Sequence, residues 1–260
     1  HGFLGYILTW GQMSVLGATS IKYIVGVIAG FGPRVIQLLW GGFAVGKPTL
    51  NRFFSLLFIL PILIAAVSLI HLVLLHMRGS SNPIGTFANN TKVAFYPYFV
   101  LKDALGFFIF IFIFCIITLY SPNLLGHSDN YILANPIVTP SHIVPAWYFL
   151  PFYAILRACP NKIGGVVSMG LALIGLLLLP FLHRASSAKI SGVVQKSHSP
   201  RFWIWQIHIW SFFYTFLFLG WLGGMPAEGI FIIASKIATV CYFVLLFLFG
   251  YSDRTTLKSF

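Results

Sequence analysis

Long apolar runs and short polar stretches alternate along the chain, and the runs are long enough to cross a membrane. The clearest lies in LNRFFSLLFILPILIAAVSLIHLVLLHMRGSSNP (50–83), where a predominantly apolar stretch runs from Phe53 to Leu75, 23 residues. At ~1.5 Å per residue it reaches about 34 Å, enough for a ~30 Å hydrocarbon core with some tilt. Pro61 sits in its interior, removes one backbone bond and is expected to kink it. Gly79 and Pro83 end it. The next span is predicted from about Tyr98 to Tyr120, with Lys102 and Asp103 at its start and FFIFIFIFCIITLY as its core. Further spans are predicted at about 164–182, 202–221 and 230–250.

The remaining stretches punctuate these runs. Residues 1–8 can form only the tail of a helix. Thr9, Gln12, Ser14, Thr19, Ser20 and Lys22 then break the apolar pattern. Residues 10–24 read as a short helix lying against the membrane surface or a cavity wall, since polar groups there need water or protein partners. Pro33 can open another short helix ending near Trp40, before Gly41-Gly42 and Gly46-Lys47-Pro48. Residues 84–97 form a polar loop. Residues 121–160 read as a long loop dense in proline, of a length that is usually functional. Its aromatic piece AWYFLPFYAIL can pack back into the membrane. The fold expected is all-α: a polytopic transmembrane helical bundle of five full spans, a partial N-terminal helix and surface helices in the loops.

Composition agrees. Of 260 residues 58% are hydrophobic and 8% charged, against ~25% charged in an ordinary soluble domain. The net charge of +12 lies mostly in loops. It reads as topology and contact with anionic lipid head groups rather than nucleic-acid binding. If the loops alternate sides, nine Lys/Arg fall with 79–97, 183–201 and the C-terminus, and six on the other side. The positive-inside rule assigns the first group to cytoplasm or matrix. Lys236 lies inside the last span. Cys115, Cys159 and Cys241 are far apart, form no CxxC, and read as small apolar packers. The chain opens HGFLGY, with neither a basic leader nor an initiator Met, and reads as incomplete or cleaved.

Two histidines mark the central span. His71 lies within it and His76 at its end, neither with an acidic neighbour in sequence. An ionisable side chain at membrane depth is costly, so it points to function. The competing readings are a histidine bonded to a neighbouring helix for His71 and an interfacial side chain for His76. Lys102-Asp103, taken alone, is a charge pair at a helix start.

Five collinear segments carry a resemblance: GYILTWGQMSVLGAT, WGGFAVGKPTLNRFF, LPILIAAVSLIHLVLLHMRGSSNP, FYPYFVLKDALG and LLGHSDNYILANPIVTPSHIVPAWYFLPFYAILRACPNKIGGV. Together they resemble mitochondrial-type cytochrome b, the membrane core of respiratory complex III, densely to about residue 168 and more loosely beyond. The chloroplast-type relative divides its chain between the fourth and fifth helices, which are continuous here. The resemblance implies a family fold of eight membrane helices with two b haems, each held by one His from the second helix and one from the fourth. The first two helices and most of the third are missing from this sequence. Residues 1–120 then correspond to the C-terminal part of the haem-binding bundle, and 121–260 to the outer loop and a C-terminal three-helix region.

The resemblance also implies roles. His71 is the fourth-helix ligand of the inner haem. His76, Ser80, Lys102 and Asp103 match the inner quinone-reduction pocket, with His76 and Asp103 relaying protons to quinone. Lys102 holds a haem propionate or tunes Asp103. Arg52 matches an arginine near an outer haem propionate, or is an interface anchor. Gly17 and Tyr153, with Phe3, Tyr6, Met13 and Phe149, match the outer quinol pocket, or are ordinary aromatic packing. His127, His142, His183, His198 and His208 read as loop or interface residues. The cofactors implied are haem b and ubiquinone. The partners are an iron–sulfur protein, a cytochrome c-type subunit, other complex III subunits and a second copy of the chain. The setting is the mitochondrial inner membrane, with 79–97, 183–201 and the C-terminus on the matrix side.

The outer side departs from the family pattern. Leu57 stands at the outer ligand position, 14 residues before His71, and has no lone pair for iron. Ala146 replaces the Glu of PEWY, Thr9 the Pro of LPWGQ, and Leu16 an aromatic. A degenerate scaffold retaining only the inner site, or a split protein whose first helices lie on another chain, are the rival readings.

Overall fold

The computed structural model describes residues 1–26, 31–80, 92–140, 143–187 and 200–255; the side chains of Tyr23, Arg78, 180–187, 200–205 and 249–255 are not described. Nine α-helices occur among the described residues: α1 Gly2–Leu8, α2 Gln12–Val25, α3 Gly32–Trp40, α4 Lys47–Arg78, α5 Val100–Cys115, α6 Leu150–Ala158, α7 Lys162–Ser187, α8 Pro200–Gly224 and α9 Gly229–Thr255. Helix α5 is extended by π-helical turns, Phe95–Phe99 and Ile116–Tyr120. Among the described residues five segments are long and apolar enough to cross a membrane: Lys47–Met77, Phe95–Tyr120, Lys162–Leu179, Gln206–Gly224 and Gly229–Leu248.

The element types follow the polar–apolar pattern; the ends move. Helix α4 begins at Lys47 because Gly46 breaks from helical geometry and Pro48 fits the first turn, where its missing N–H costs nothing. It runs unbroken through Pro61 to Arg78. Helices α7, α8 and α9 each overrun the predicted span. Apolar runs mark the hydrocarbon core, whereas backbone hydrogen bonding continues into the interface.

Two cores form. In the first, Ile7, Ala18 and Phe53 are buried between α1, α2 and α4, with Phe3, Leu4 and Leu50 packed around them. The second is larger and centres on α6, which touches α7, α8 and α9. Ala154 and Ile155 of α6 meet Ala172, Leu219, Leu222, Ala238, Tyr242 and Leu246 there. This corrects the reading of 121–160 as one loop. Its aromatic piece forms a 3-10 turn, Trp147–Phe149, and then α6, started by Pro151 and stopped before Pro160. Arg157 at the end of α6 donates to the carbonyls of Leu222 and Met225, 2.8 and 2.9 Å. The cation thus meets the negative end of α8.

Small residues let these helices approach. A Cβ on Gly223 of α8 would overlap the carbonyl of Leu150, and one on Gly165 of α7 would overlap that of Leu156. Close contact through glycine is how helices associate where lipid removes the hydrophobic drive between them. The lower half of α4 and all of α5 are different. Their apolar side chains stand exposed on every side, and α5 packs substantially on no described element besides its own π-helical turns. A helix apolar all round belongs inside a bundle or a membrane.

His208 is corrected as well. It lies within α8, and its Nε2 meets the Leu245 carbonyl of α9 at 2.8 Å. His142 and His198 lie outside the described residues, and the His183 side chain is not described.

Candidate functional site

One candidate site is built on the elbow between α1 and α2. Trp10 takes a left-handed backbone, φ 56, which turns the chain sharply. Gly11 follows because a Cβ there would overlap the Asn130 backbone and side-chain oxygens. The elbow carries a polar staple. Gln12, 4% exposed, donates through Nε2 to the carbonyls of Asn135 and Val138 (3.0 and 2.5 Å), and its Oε1 accepts from the Asn135 N–H at 2.7 Å. The Asn130 Oδ1 accepts from the Ser14 N–H and hydroxyl at 3.0 and 2.9 Å. Thr9 joins this network: its Oγ1 donates to the Tyr6 carbonyl, meets Ser14 Oγ and accepts from Asn130 Nδ2, at 2.8, 2.8 and 3.1 Å. The hydroxyl at this departure from the family pattern therefore ties the long loop to the elbow.

An aromatic cluster lies beside the staple. Phe3 and Phe149 meet edge to face at 5.8 Å, and Phe149 touches Tyr148, which touches Trp147. Gly17 faces Phe3, where an added Cβ would lie 3.8 Å from the ring. Tyr6 is within electrostatic reach of Tyr148 and Asp129. Burial pushes the Tyr148 phenol above its ordinary value. Ala146 caps the Trp147–Phe149 turn through its carbonyl, which accepts from the Phe149 N–H at 2.8 Å; its methyl group can neither take nor give a proton. Among the described residues Tyr153 has no ring contact with this cluster. Its hydroxyl donates to Ile143 O at 3.4 Å and the Arg157 guanidinium lies over its ring at 4.7 Å. Arg157 and the Gln12 staple were not among the residues singled out in the sequence. The available signal was an arginine in an otherwise apolar piece, which needs a carbonyl or anion nearby.

Because Gln12 is buried and three-fold bonded, Gln12→Leu leaves the Asn135 N–H and two loop carbonyls without partners. Loss of one such buried partner costs ~1–3 kcal/mol. The expected result is cleavage between 121 and 140 by added protease, with α6–α9 still folded. Wild-type resistance in the variant would refute this role.

Helix α4 places Leu57 and His71 on nearly the same side, 14 residues or about 21 Å apart. Leu57 faces α1, its Cδ1 3.5 Å from where a Gly5 Cβ would lie. An aliphatic side chain in that contact does not fit an iron ligand. His71 fits one. Its imidazole is exposed within the span, and among the described residues it has no hydrogen-bond or ion-pair partner. His208, by contrast, is satisfied by a neighbouring helix. His76 and Ser80 follow at and beyond the end of α4, and Lys102 and Asp103 open α5, all exposed. Lys102 and Asp103 form no ion pair with each other, since adjacent helical residues point about 100° apart. Arg52 points elsewhere, about 140° around α4 from Leu57. Its guanidinium carbon is 3.1 Å from where a Cβ of the left-handed Gly41 would lie, at the end of α3. Among the described residues no group of three or more His, Cys, Asp or Glu comes together.

Residues 1–128 match the family described as Cytochrome b(N-terminal)/b6/petB, and 133–243 that described as Cytochrome b(C-terminal)/b6/petD. The cytochrome b of Chondrus crispus is 50% identical over 243 residues, 93% of this chain and 61% of its own length. That of Marchantia polymorpha is 48% identical over 241 residues, 93% of this chain and 57% of its own. That of Rickettsia bellii is 49% identical over 243 residues, 93% and 58%. A solved structure described as a hyperthermophilic respiratory Complex III superposes with a TM-score of 0.83 at 27% identity, covering 97% of this chain and 66% of that one. The chain spans 57–61% of the length of these three cytochromes. Both halves of one fold are matched in order along nearly the whole chain, and the chain belongs to the cytochrome b/b6 family.

Proposed function

We propose that this chain serves as the membrane electron-transfer subunit of a mitochondrial respiratory complex III, a quinol–cytochrome c oxidoreductase of the inner membrane. The observation that carries the reading is His71, an unpartnered imidazole inside a membrane span of a cytochrome b fold. His71 would hold the inner b-type haem. The haem, when bound, supplies the one-electron chemistry. The chain's own residues then serve the inner quinone site. His76 lies five residues on, about 7.5 Å further along the helix. If Ile62, the middle of the span, sits at the bilayer centre, His76 reaches about 21 Å from it, at head-group level where protons are available. Reducing a quinone by two electrons takes up two protons, which His76 and Asp103 would relay to opposite carbonyls, with Ser80 orienting the ring and Lys102 holding a haem propionate or tuning Asp103. At the outer site Gly17 and Tyr153 would border quinol, with Arg52 left to a role of its own.

The partners in this reading are an iron–sulfur protein, a cytochrome c-type subunit, other complex III subunits, membrane lipid and a second copy of the chain. The loops 79–97 and 183–201 and the C-terminus face the matrix. Leu57 and Ala146 favour a second reading, in which the inner site alone is active and the rest of the chain is scaffold.

The deciding experiment is haem b per chain with a redox titration on the purified complex. Two potentials are expected if another group replaces Leu57. One potential restricts the chain to inner-face chemistry. No haem b refutes both readings of the inner site.

A further inference from the structure

We propose that Arg52 and the cleft between α3 and α4 form a binding site for a membrane glycerophospholipid, with the phosphate on the Arg52 guanidinium and an acyl chain on the apolar wall. The cleft is open, about 480 Å³, and lined by Leu38, Leu39, Phe53 and Leu56 together with Asn51, Arg52 and Ser55. That volume falls in the ~300–1,000 Å³ range of small-molecule sites. Its wall is almost wholly apolar, and the Ser55 hydroxyl already donates to Asn51 O at 2.9 Å. One cation beside an apolar wall is the complement of an amphiphile with an anionic head.

The charge has no partner within reach of its own part of the chain. Residues 1–80 contain no Asp or Glu, and the ion pair found among the described residues is His127–Asp129, not one of Arg52. The Arg52 side chain is exposed, and its guanidinium lies against the end of α3. Gly41, φ 75, ends α3 in the left-handed form and leaves the space its Cβ would fill for the guanidinium. Depth agrees. Arg52 lies ten residues from Ile62, the middle of the Lys47–Met77 span, or about 15 Å, half of a ~30 Å hydrocarbon core. An arginine at that level meets phosphates while its stem stays in the apolar layer. Helix α3 fits the same interface: Ile36 and Trp40 are buried, while Leu38 is 70% exposed beside the cleft. The orientation also separates Arg52 from the Leu57–His71 side of α4, so this site stands whether or not an outer haem is bound.

Two measurements on the purified complex test the proposal. The first is phospholipid phosphorus per complex after exhaustive detergent washing, wild type against Arg52→Gln. Loss of a tightly held phospholipid is expected, with haem potentials unchanged. The second uses phosphatidic acid carrying a diazirine in its acyl chain. Label is expected on the peptides holding Leu38 and Leu56, to fall roughly tenfold in Arg52→Gln, the scale of one charge-assisted hydrogen bond, and to be blocked by Ser55→Trp, which fills the cleft. If Arg52→Gln does not assemble, labelling of the wild type against Ser55→Trp decides. Competition with inorganic phosphate separates the head from the whole lipid: the label should resist millimolar phosphate. Label absent from the cleft, an unchanged phospholipid count, or displacement by phosphate alone overturns the proposal. A shifted haem potential with unchanged lipid overturns it in favour of a propionate contact.

Discussion

Replacing His71 by leucine is expected to remove the inner b-type haem from the assembled complex and with it all quinone reduction at the inner face. Leucine matches the length and apolarity of the span, so α4 should still insert; what it lacks is the nitrogen lone pair that ligates iron. The measurement is the reduced-minus-oxidised spectrum of the purified complex, with the protein level followed separately. His76→Leu is the control. It should keep the haem spectrum and slow quinone reduction by ~10²–10⁴-fold, the range for loss of a positioned acid or base. An unaltered haem content in His71→Leu would leave this chain without the ligand proposed for it.

The second large effect is structural. Gly223→Val is expected to break the α6–α8 contact, because a Cβ at this position falls on the Leu150 carbonyl and lies 2.7 Å from its carbon. The backbone of α6 cannot move away easily. It is held from the other side by Gly165 of α7, where Leu156 O leaves no room for a side chain either. Overpacking a tight core costs ~1–3 kcal/mol or more, and here the clash is with main chain rather than a flexible side-chain end. The contact also sets the Arg157 bonds to Leu222 and Met225 on the same helix. Loss of the assembled complex, or a thermal midpoint lowered by several degrees, is expected. Gly170→Val on α7, where an added Cβ meets nothing within 4 Å, should be near neutral. Equal behaviour of the two variants would show that this contact is not tight.

Much of the fold was legible from residue order. The five membrane helices follow from apolar runs that no soluble fold would leave uncovered, and the short surface helices from Pro33 and the polar interruptions before it. His71 stood out for the same reason: a titratable ring inside an apolar run is conspicuous without any coordinates. Leu57 and Ala146 were conspicuous only against the family's motif, since neither residue is unusual in itself.

Other features needed the folded chain. The sequence 121–160 is rich in proline and reads as loop, yet α6 within it is the centre of the larger core. Its apolar aromatic run is too short to cross a membrane, and only α7, α8 and α9 closing around it give it a buried role. His208 looked like an interface residue until α9 supplied a carbonyl for its ring, whereas no described helix supplies one for His71. The Gln12 staple joins residues more than a hundred positions apart, beyond any local pattern. Thr9 read as a loss of the family proline, and the fold gives its hydroxyl three partners. Arg52 is the plainest case. Its place in the motif suggested the haem side of α4, and the fold adds that its guanidinium lies against the glycine turn after α3. By itself the sequence determined the five membrane helices and the imidazole of His71 inside one of them, because hydrophobicity and helical period are local properties. The tertiary structure decided which helix became the hub and which polar groups were satisfied, because those depend on backbones meeting from distant parts of the chain.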